Sequence, residues 1–459
     1  MIKRCYKNLV FMVIILNLSI LPIFLSLAHS NSGKINKKPM STKHLVKKRG
    51  AVKDSSSIIN SKAGIMLLSN NGTILYSQNP NIGFIPASTI KVLTSLVARH
   101  YLGVNYRFTT DFFLTVGGQN RVNLKIKGYG DPLFTSAVIH DACRQVVATL
   151  RAMNINQLND IVVDNSFFTQ NINIDGRSNT NNPYDAPVGA LSANFNTVSF
   201  QYSRSKKEYV SDDPEIPLLP FVMNQVKSSR LRGGRVVLSQ EESRLYAGML
   251  IRHFLLQEGI LIRGDVKAGI VTSKDKPIYE FISPYSIDEI IVKLLKHSSN
   301  FIANQIFLAS GAKAFSPPAT VEKGVAAMSD YAKRAIGISM YSGSNVIFAE
   351  GSGLSRLNRI SPADMVKILF KFRPNYQLMR SETIADGVTE YYKTGTLNGV
   401  RTRCGYFETL DGLYPFVIMV NQDGAGYENI KKSLCEMVLL HKNASIQNFF
   451  SKTQVVLNF

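Results

Sequence analysis

Apolar and polar positions divide the chain into regions of different rhythm. Residues 9–27 form an almost unbroken apolar run, and residues 31–57 show no apolar period at all. Regular patterning begins near Ala63. Segments 63–68 and 73–76 are short apolar blocks around Asn71-Gly72, which predicts a β-hairpin. Between Thr89 and Leu102, the residues Ile90, Leu93, Val97 and Tyr101 recur at helical spacing, and Gly103 supplies the stop. Residues 104–281 read as a separate unit, with strands at 122–127, 161–164 and 236–238 alternating with helices at 138–153 and 242–257. After Ser286 helices dominate, at 287–295, 302–309, 321–335 and 362–370. The carboxyl end predicts strands 403–409 and 416–421, joined through Asp411-Gly412, and a last amphipathic helix at 430–441.

Composition agrees with a folded protein: 459 residues, 45% hydrophobic and 19% charged, bury a sizeable core and exclude fibrous and disordered classes. The net charge of +21 is unevenly placed, because residues 1–54 hold eleven Lys/Arg against Asp54 alone. Lys3, Arg4 and Lys7 before the apolar run, and Ala28-His29-Ser30 after it, read as an export signal at 1–30 cleaved after Ser30. An uncleaved anchor is the alternative, against which Pro22 and the small-residue site weigh. The basic segment 31–57 is expected to be a disordered linker, either touching an anionic membrane or wall polymer or serving as a solvated spacer. Four Cys exclude a disulfide-stapled scaffold. Cys143, Cys404 and Cys435 remain after cleavage, with a Cys404–Cys435 pair and buried free thiols both open.

The chemistry narrows by elimination. Scattered His and Cys give no metal-ligand spacing, so neither metal nor cofactor is expected, and no nucleic-acid motif stands out. There is no G-x-S-x-G elbow, and Gly128-Tyr129-Gly130 lacks the third glycine of a dinucleotide turn, where Leu133 stands. Ser88 and Lys91 are different. They lie three apart at the start of a predicted helix, hence on one face, where a Lys made neutral by burial can act as base toward a Ser. Three other Ser/Lys pairs share that spacing, but only this one opens an apolar-periodic helix after a hairpin. Ser298-Ser299-Asn300 then sits between two helices, and Lys393-Thr394-Gly395-Thr396, which occurs once, precedes a strand.

This ordered trio, S-x-x-K, S-x-N and K-T-G, resembles that of penicillin-interacting acyl-serine enzymes. With the stretches 128–132, 161–168, 190–196 and 351–356, the chain resembles a class C low-molecular-mass penicillin-binding protein. More narrowly, it resembles the D-alanyl-D-alanine carboxypeptidase/endopeptidase of penicillin-binding protein 4 type. The resemblance implies an α+β multidomain fold. A penicillin-binding/β-lactamase-like transpeptidase domain (58–105 and 282–459, an antiparallel sheet flanked by helices) would be interrupted by an inserted β-rich domain or domains at 106–281. It further implies Ser88 as acylated nucleophile, Lys91 as proton acceptor and Ser298 as proton relay. Asn300 would orient the substrate amide, and Lys393 would help keep Lys91 neutral. Thr394, Gly395, Thr396 and Leu397 would bind substrate, the N–H groups of Ser88 and Thr396 would form an oxyanion hole, and Asp164 would meet the stem-peptide side chain. Two positions depart from the family pattern: Ser299 stands where Asp is common, and Glu350 precedes Gly-Ser-Gly where Asp is usual. The implied activity is that of an exported serine D,D-peptidase of the periplasm or cell envelope, acting on peptidoglycan stem peptides and inhibited by β-lactams. A β-lactamase, or a non-catalytic wall-binding or penicillin-sensing protein of the same fold, is the alternative.

Overall fold

The computed structural model describes residues 62–117, 121–340 and 345–456, all within one unit, Ser56–Phe459. The expected export signal and the expected basic linker lie wholly outside them. Strands β1 (Ala63–Leu68) and β2 (Ile74–Gln78) form the hairpin, and a short 3-10 turn, Ala87–Ile90, leads into α1 (Lys91–Tyr101). There follow β3 (Arg107–Val116), β4 (Val122–Gly128), α2 (Ser136–Ala152), β5 (Gln157–Leu158) and β6 (Ile161–Asp164). Next come β7 (Thr197–Ser203), β8 (Glu208–Ser211), α3 (Pro220–Ser229), β9 (Gly233–Val237) and α4 (Gln240–Gln257). Strands β10 (Leu261–Ile262), β11 (Val266–Ala268) and β12 (Lys276–Ser286) then lead to helices α5 (Ile287–His297), α6 (Asn300–Phe315), α7 (Val321–Tyr331) and α8 (Pro362–Phe372). The chain ends with β13 (Arg380–Ala385), β14 (Val388–Leu397), β15 (Val400–Thr409), β16 (Gly412–Val420) and α9 (Glu428–Val456).

Two ends of the sequence meet in one antiparallel sheet, ordered β13-β14-β15-β16-β1-β2. All six residues of β1 are buried, because the sheet is covered on both faces. Met66 and Leu68 face a helical layer that includes α1, α5, α6 and α8, while Ile65 and Leu67 face α9. Helix α6 is the centre of the first layer, with every residue from Phe301 to Ala312 buried, which is why its sequence is apolar all round. This two-faced arrangement settles the cysteines. Cys404 belongs to the helical-layer core and Cys435 to the α9 core, on opposite sides of the sheet, and both are free thiols. No disulfide joins them.

A second core belongs to the middle of the chain. The mixed sheet β11-β6-β4-β3-β12 packs Phe112, Leu124, Ile126 and Val163 against α2 and α4. Strands β3 and β12 lay outside the sequence expectation, although β3 alternates buried and partly exposed positions. The expected boundary at 281/282 falls inside β12, which runs on to Ser286 and hands over to α5 through a Ser286–Glu289 capping box. Part of this region returns to the main core: Phe168, Ile172, Ile174, Ala186 and Val188 pack with α1 and α6. That return brings the 183–185 turn to the rim of the cleft described next.

Candidate active site

Ser88 lies in the 3-10 turn just before α1, after Ala87, which is held in the left-handed region at φ 46°. Lys91 is the first residue of α1 and has no exposed surface. Its Nζ lies 2.8 Å from Ser88 Oγ and 2.7 Å from Asn300 Oδ1, and it also bonds the carbonyl oxygen of Ser352. Burial first, and then the nearby Lys393 charge, hold the Lys91 amine well below its ordinary range, with the Glu350 carboxylate acting the other way. A neutral amine has two hydrogens and one lone pair. The two acceptors, Asn300 Oδ1 and Ser352 O, use the hydrogens, which leaves the lone pair to accept from the Ser88 hydroxyl. The geometry therefore fits a base aimed at one proton.

The second lysine faces the same cleft. Lys393 Nζ lies 2.7 Å from Ser298 Oγ and 2.7 Å from the Thr394 carbonyl oxygen. Burial lowers it from 10.5 to about 8. Ser298 ends α5 in the left-handed conformation (φ 56°), and Ser299 caps α6 by accepting from Ile302 N at 3.2 Å. Asn300 is thus fixed as the first residue of α6. The capping role explains the tolerance of Ser at position 299, since Ser and Asp are equally good caps.

As the sequence leads one to expect, Lys393-Thr394-Gly395-Thr396 precedes a strand, β15, and it also forms the end of β14. Its pairing with β15 continues unbroken from Thr389 opposite Glu408 to Leu397 opposite Val400. Strand β13 pairs with β14 only as far as Tyr392, so the edge from Lys393 onward faces the cleft. A Cβ on Gly395 would stand 2.9 Å from Ser88 N and 2.2 Å from Thr402 Oγ1, so only glycine lets the strand pass the nucleophile this closely. Gly353 (φ 80°) is under the same constraint, with Ala87 O 1.9 Å from its would-be Cβ.

Ser88, Ser298, Asn300, Thr396 and Leu397 line one cavity of about 470 Å³ with Tyr184 and Arg401. Glu350 lies beneath it, fully buried, accepting from Ser352 N, Ser352 Oγ, Ser355 N and Asn358 Nδ2. Asp164 is not brought to this cleft. It is fully buried and accepts from Ser166 N and Val271 N, both at 2.8 Å. Sequence reasoning had passed over the Ser352 carbonyl, which depends on the fold alone, and Tyr184, which sits in an Asn-rich connection without any motif. Among the described residues, no group of three His, Cys, Asp or Glu could hold a metal ion.

Comparison with known proteins places the chain in a family. Residues 49–380 match the model of the D-Ala-D-Ala carboxypeptidase 3 (S13) family. The chain is 24% identical over 430 residues to the D-alanyl-D-alanine carboxypeptidase DacB of Haemophilus influenzae, covering 82% of this chain and 88% of the relative. It is 22% identical over 438 residues to the D-alanyl-D-alanine carboxypeptidase of Actinomadura sp. strain R39, covering 81% and 80%. The fold is similar to that of penicillin binding protein 4 from Haemophilus influenzae, with a TM-score of 0.65 at 19% identity over 83% of this chain and 96% of that one. The same protein complexed with a β-lactam gives 0.60, at the same identity and coverage.

Proposed function

Since the chain belongs to the D-Ala-D-Ala carboxypeptidase 3 (S13) family and is a serine-type enzyme of penicillin-binding fold, we propose that it cleaves peptidoglycan stem peptides through an acyl-Ser88 intermediate. The observation that carries this reading is the Lys91 amine, buried, depressed in pKa, and hydrogen-bonded so that its lone pair meets Ser88 Oγ. Lys91 takes the Ser88 proton as Oγ attacks the penultimate D-alanine carbonyl. The N–H groups of Ser88 and Thr396 receive the developing oxyanion. Substrate lies along the free β14 edge, as an added strand, past Gly395 and Leu397. Its terminal carboxylate meets Thr394, Thr396 and the Lys393 charge, and Asn300 orients its amide. Ser298, bonded to Lys393, relays a proton to the leaving nitrogen. Water then releases the acyl group, with Lys91 again as base.

Release of D-alanine and cutting of a cross-link share this acyl-enzyme and differ only in what the leaving nitrogen belongs to. β-Lactams enter as acyl donors, in line with the β-lactam complex of the Haemophilus protein. The amino-terminal pattern supports export to the envelope, where the substrate lies. The test is labelling with a fluorescent penicillin together with mass spectrometry of muropeptide products. Wild type should label and release D-alanine. Label that persists in Ser88→Ala would refute the reading.

A further inference from the structure

The cleft does not end at Ser298. Beyond it opens a second cavity of about 580 Å³, and Ser298, Asn300 and Tyr184 line both. Its wall is largely apolar, built from Leu133, Phe195 and Phe301, the two phenylalanine rings meeting edge to face at 5.8 Å. Two cations reach it: Arg235 from β9, which is exposed, and Lys293 from α5, whose Nζ stands 5.0 Å from the Tyr285 ring. Among the described residues, no Asp or Glu lines it.

Its place relative to the reaction decides what it holds. In acylation the bond from the D-alanine carbonyl carbon to the leaving nitrogen breaks as the Ser88 Oγ–C bond forms. The Ser88 proton passes to Lys91 and from there, relayed by Ser298, to the leaving nitrogen, which returns Lys91 to the neutral base. The leaving group therefore departs past Ser298, where this cavity begins. A single D-alanine leaves most of such a volume unused. In a cross-link the leaving nitrogen is the side-chain amine of a neighbouring stem peptide, a longer group that carries free carboxylates. We infer that this cavity is the subsite for the leaving peptide of a cross-linked substrate, its carboxylates met by Arg235 and Lys293. The inference rests on the acyl-Ser88 reading and deepens it toward endopeptidase action. Charge complementarity selects the occupant, since an uncharged or cationic chain would gain nothing from the two cations at the cavity.

The test compares kcat/KM on a cross-linked muropeptide dimer with kcat/KM on the monomeric pentapeptide, using the full chain. Arg235→Glu and Lys293→Glu should each lower the dimer-to-monomer ratio by roughly tenfold, the scale of reversing one partly exposed ion pair. Arg235→Gln and Lys293→Gln should lower it by less, which guards against a folding defect in the reversals. A dimer whose leaving-peptide carboxylates are amidated should behave in wild type as the native dimer does in the reversed variants. A ratio unchanged within twofold in all four variants overturns the inference, as does a wild type that releases D-alanine yet leaves dimer intact. D-alanine release that survives Ser88→Ala instead refutes the underlying acyl-serine reading.

Discussion

Replacing Lys393 by methionine should stabilise the fold at neutral pH while slowing acylation, and the stabilisation should disappear in alkali. Lys393 is 2% exposed, and burial lowers its pKa from 10.5 in the unfolded chain to about 8 in the fold. Between those values the unfolded chain binds more protons, so stability rises with pH across the window. Below about 8 the full cost of holding a buried ammonium is present, and above 10.5 it has gone. The difference from 10.5 to about 8 corresponds to about 3 kcal/mol. Methionine has similar length without the charge, so the variant escapes that cost. It also loses the bonds to Ser298 Oγ and the Thr394 carbonyl, worth about 1 kcal/mol each. The net gain at neutral pH is therefore about 1 kcal/mol, and the sign reverses above the window. Urea unfolding of both proteins at pH values spanning the window gives the difference directly, with other titrating groups cancelling. A variant-minus-wild-type stability that stays constant from neutral to strongly alkaline pH would refute the reasoning.

Other consequences follow from the same geometry. The acylation rate of wild type should fall on an alkaline limb near pH 8, where Lys393 loses its charge, and Lys393→Arg should carry that limb beyond the accessible range. Stopped-flow acylation by a chromogenic β-lactam checks this, and an unmoved limb would assign it to another group. Gly395→Ala forces β14 away from Ser88 N and Thr402 Oγ1 and should cost about a hundredfold in acylation rate, the scale of a 1 Å misplacement, with little change in melting temperature. Ser299→Ala removes the α6 cap and should cost about 1 kcal/mol in urea unfolding, while Ser299→Asp should keep wild-type stability.

What the sequence makes legible here is set by range. The hairpin around Asn71-Gly72, helix α5 with its 0%-exposed Ile287, Ile290, Ile291 and Leu294, and the β15–β16 turn are written in local pattern, and the structure reproduces them. The trio of motifs is legible because each is a compact string whose chemistry needs fixed spacing. Two kinds of information escape. Strand β3 alternates plainly, yet its residues Thr109, Thr110 and Asp111 are polar, so composition hid the period. The Ser352 carbonyl, the Tyr184 rim and the opposite faces of Cys404 and Cys435 depend on contacts between segments more than a hundred residues apart, or on which side of a sheet a helix lands. Asp164 shows the reverse failure. A short matching stretch suggested a substrate contact, but at the end of β6 its carboxylate accepts from two backbone N–H groups and faces inward.

The two lysines divide one task because their surroundings differ more than their burial does. Lys91 has a hydroxyl, an amide oxygen and a carbonyl around it, neutral partners that favour the charged form far less than a carboxylate in contact would. A buried carboxylate nearby, Glu350, has its oxygens occupied by two backbone N–H groups, a hydroxyl and an amide, so its pull on Lys91 is spread over four donors. A cation at Lys393 then tips Lys91 toward neutrality. The longer arm of Glu350, compared with Asp, lets one carboxylate reach both Ser352 and Asn358 and so holds the Gly351–Gly353 turn against Lys91. Replacing the carboxylate by an amide of the same length in Glu350→Gln should therefore act through position and charge together. Loss of the carboxylate lowers Lys91 further, but an amide offers only one acceptor oxygen to donors that now meet two, and the Ser352 carbonyl should drift from Nζ. A pH profile separates the two: the acid limb of acylation moves to lower pH if charge dominates, whereas the plateau falls with the limb in place if position does.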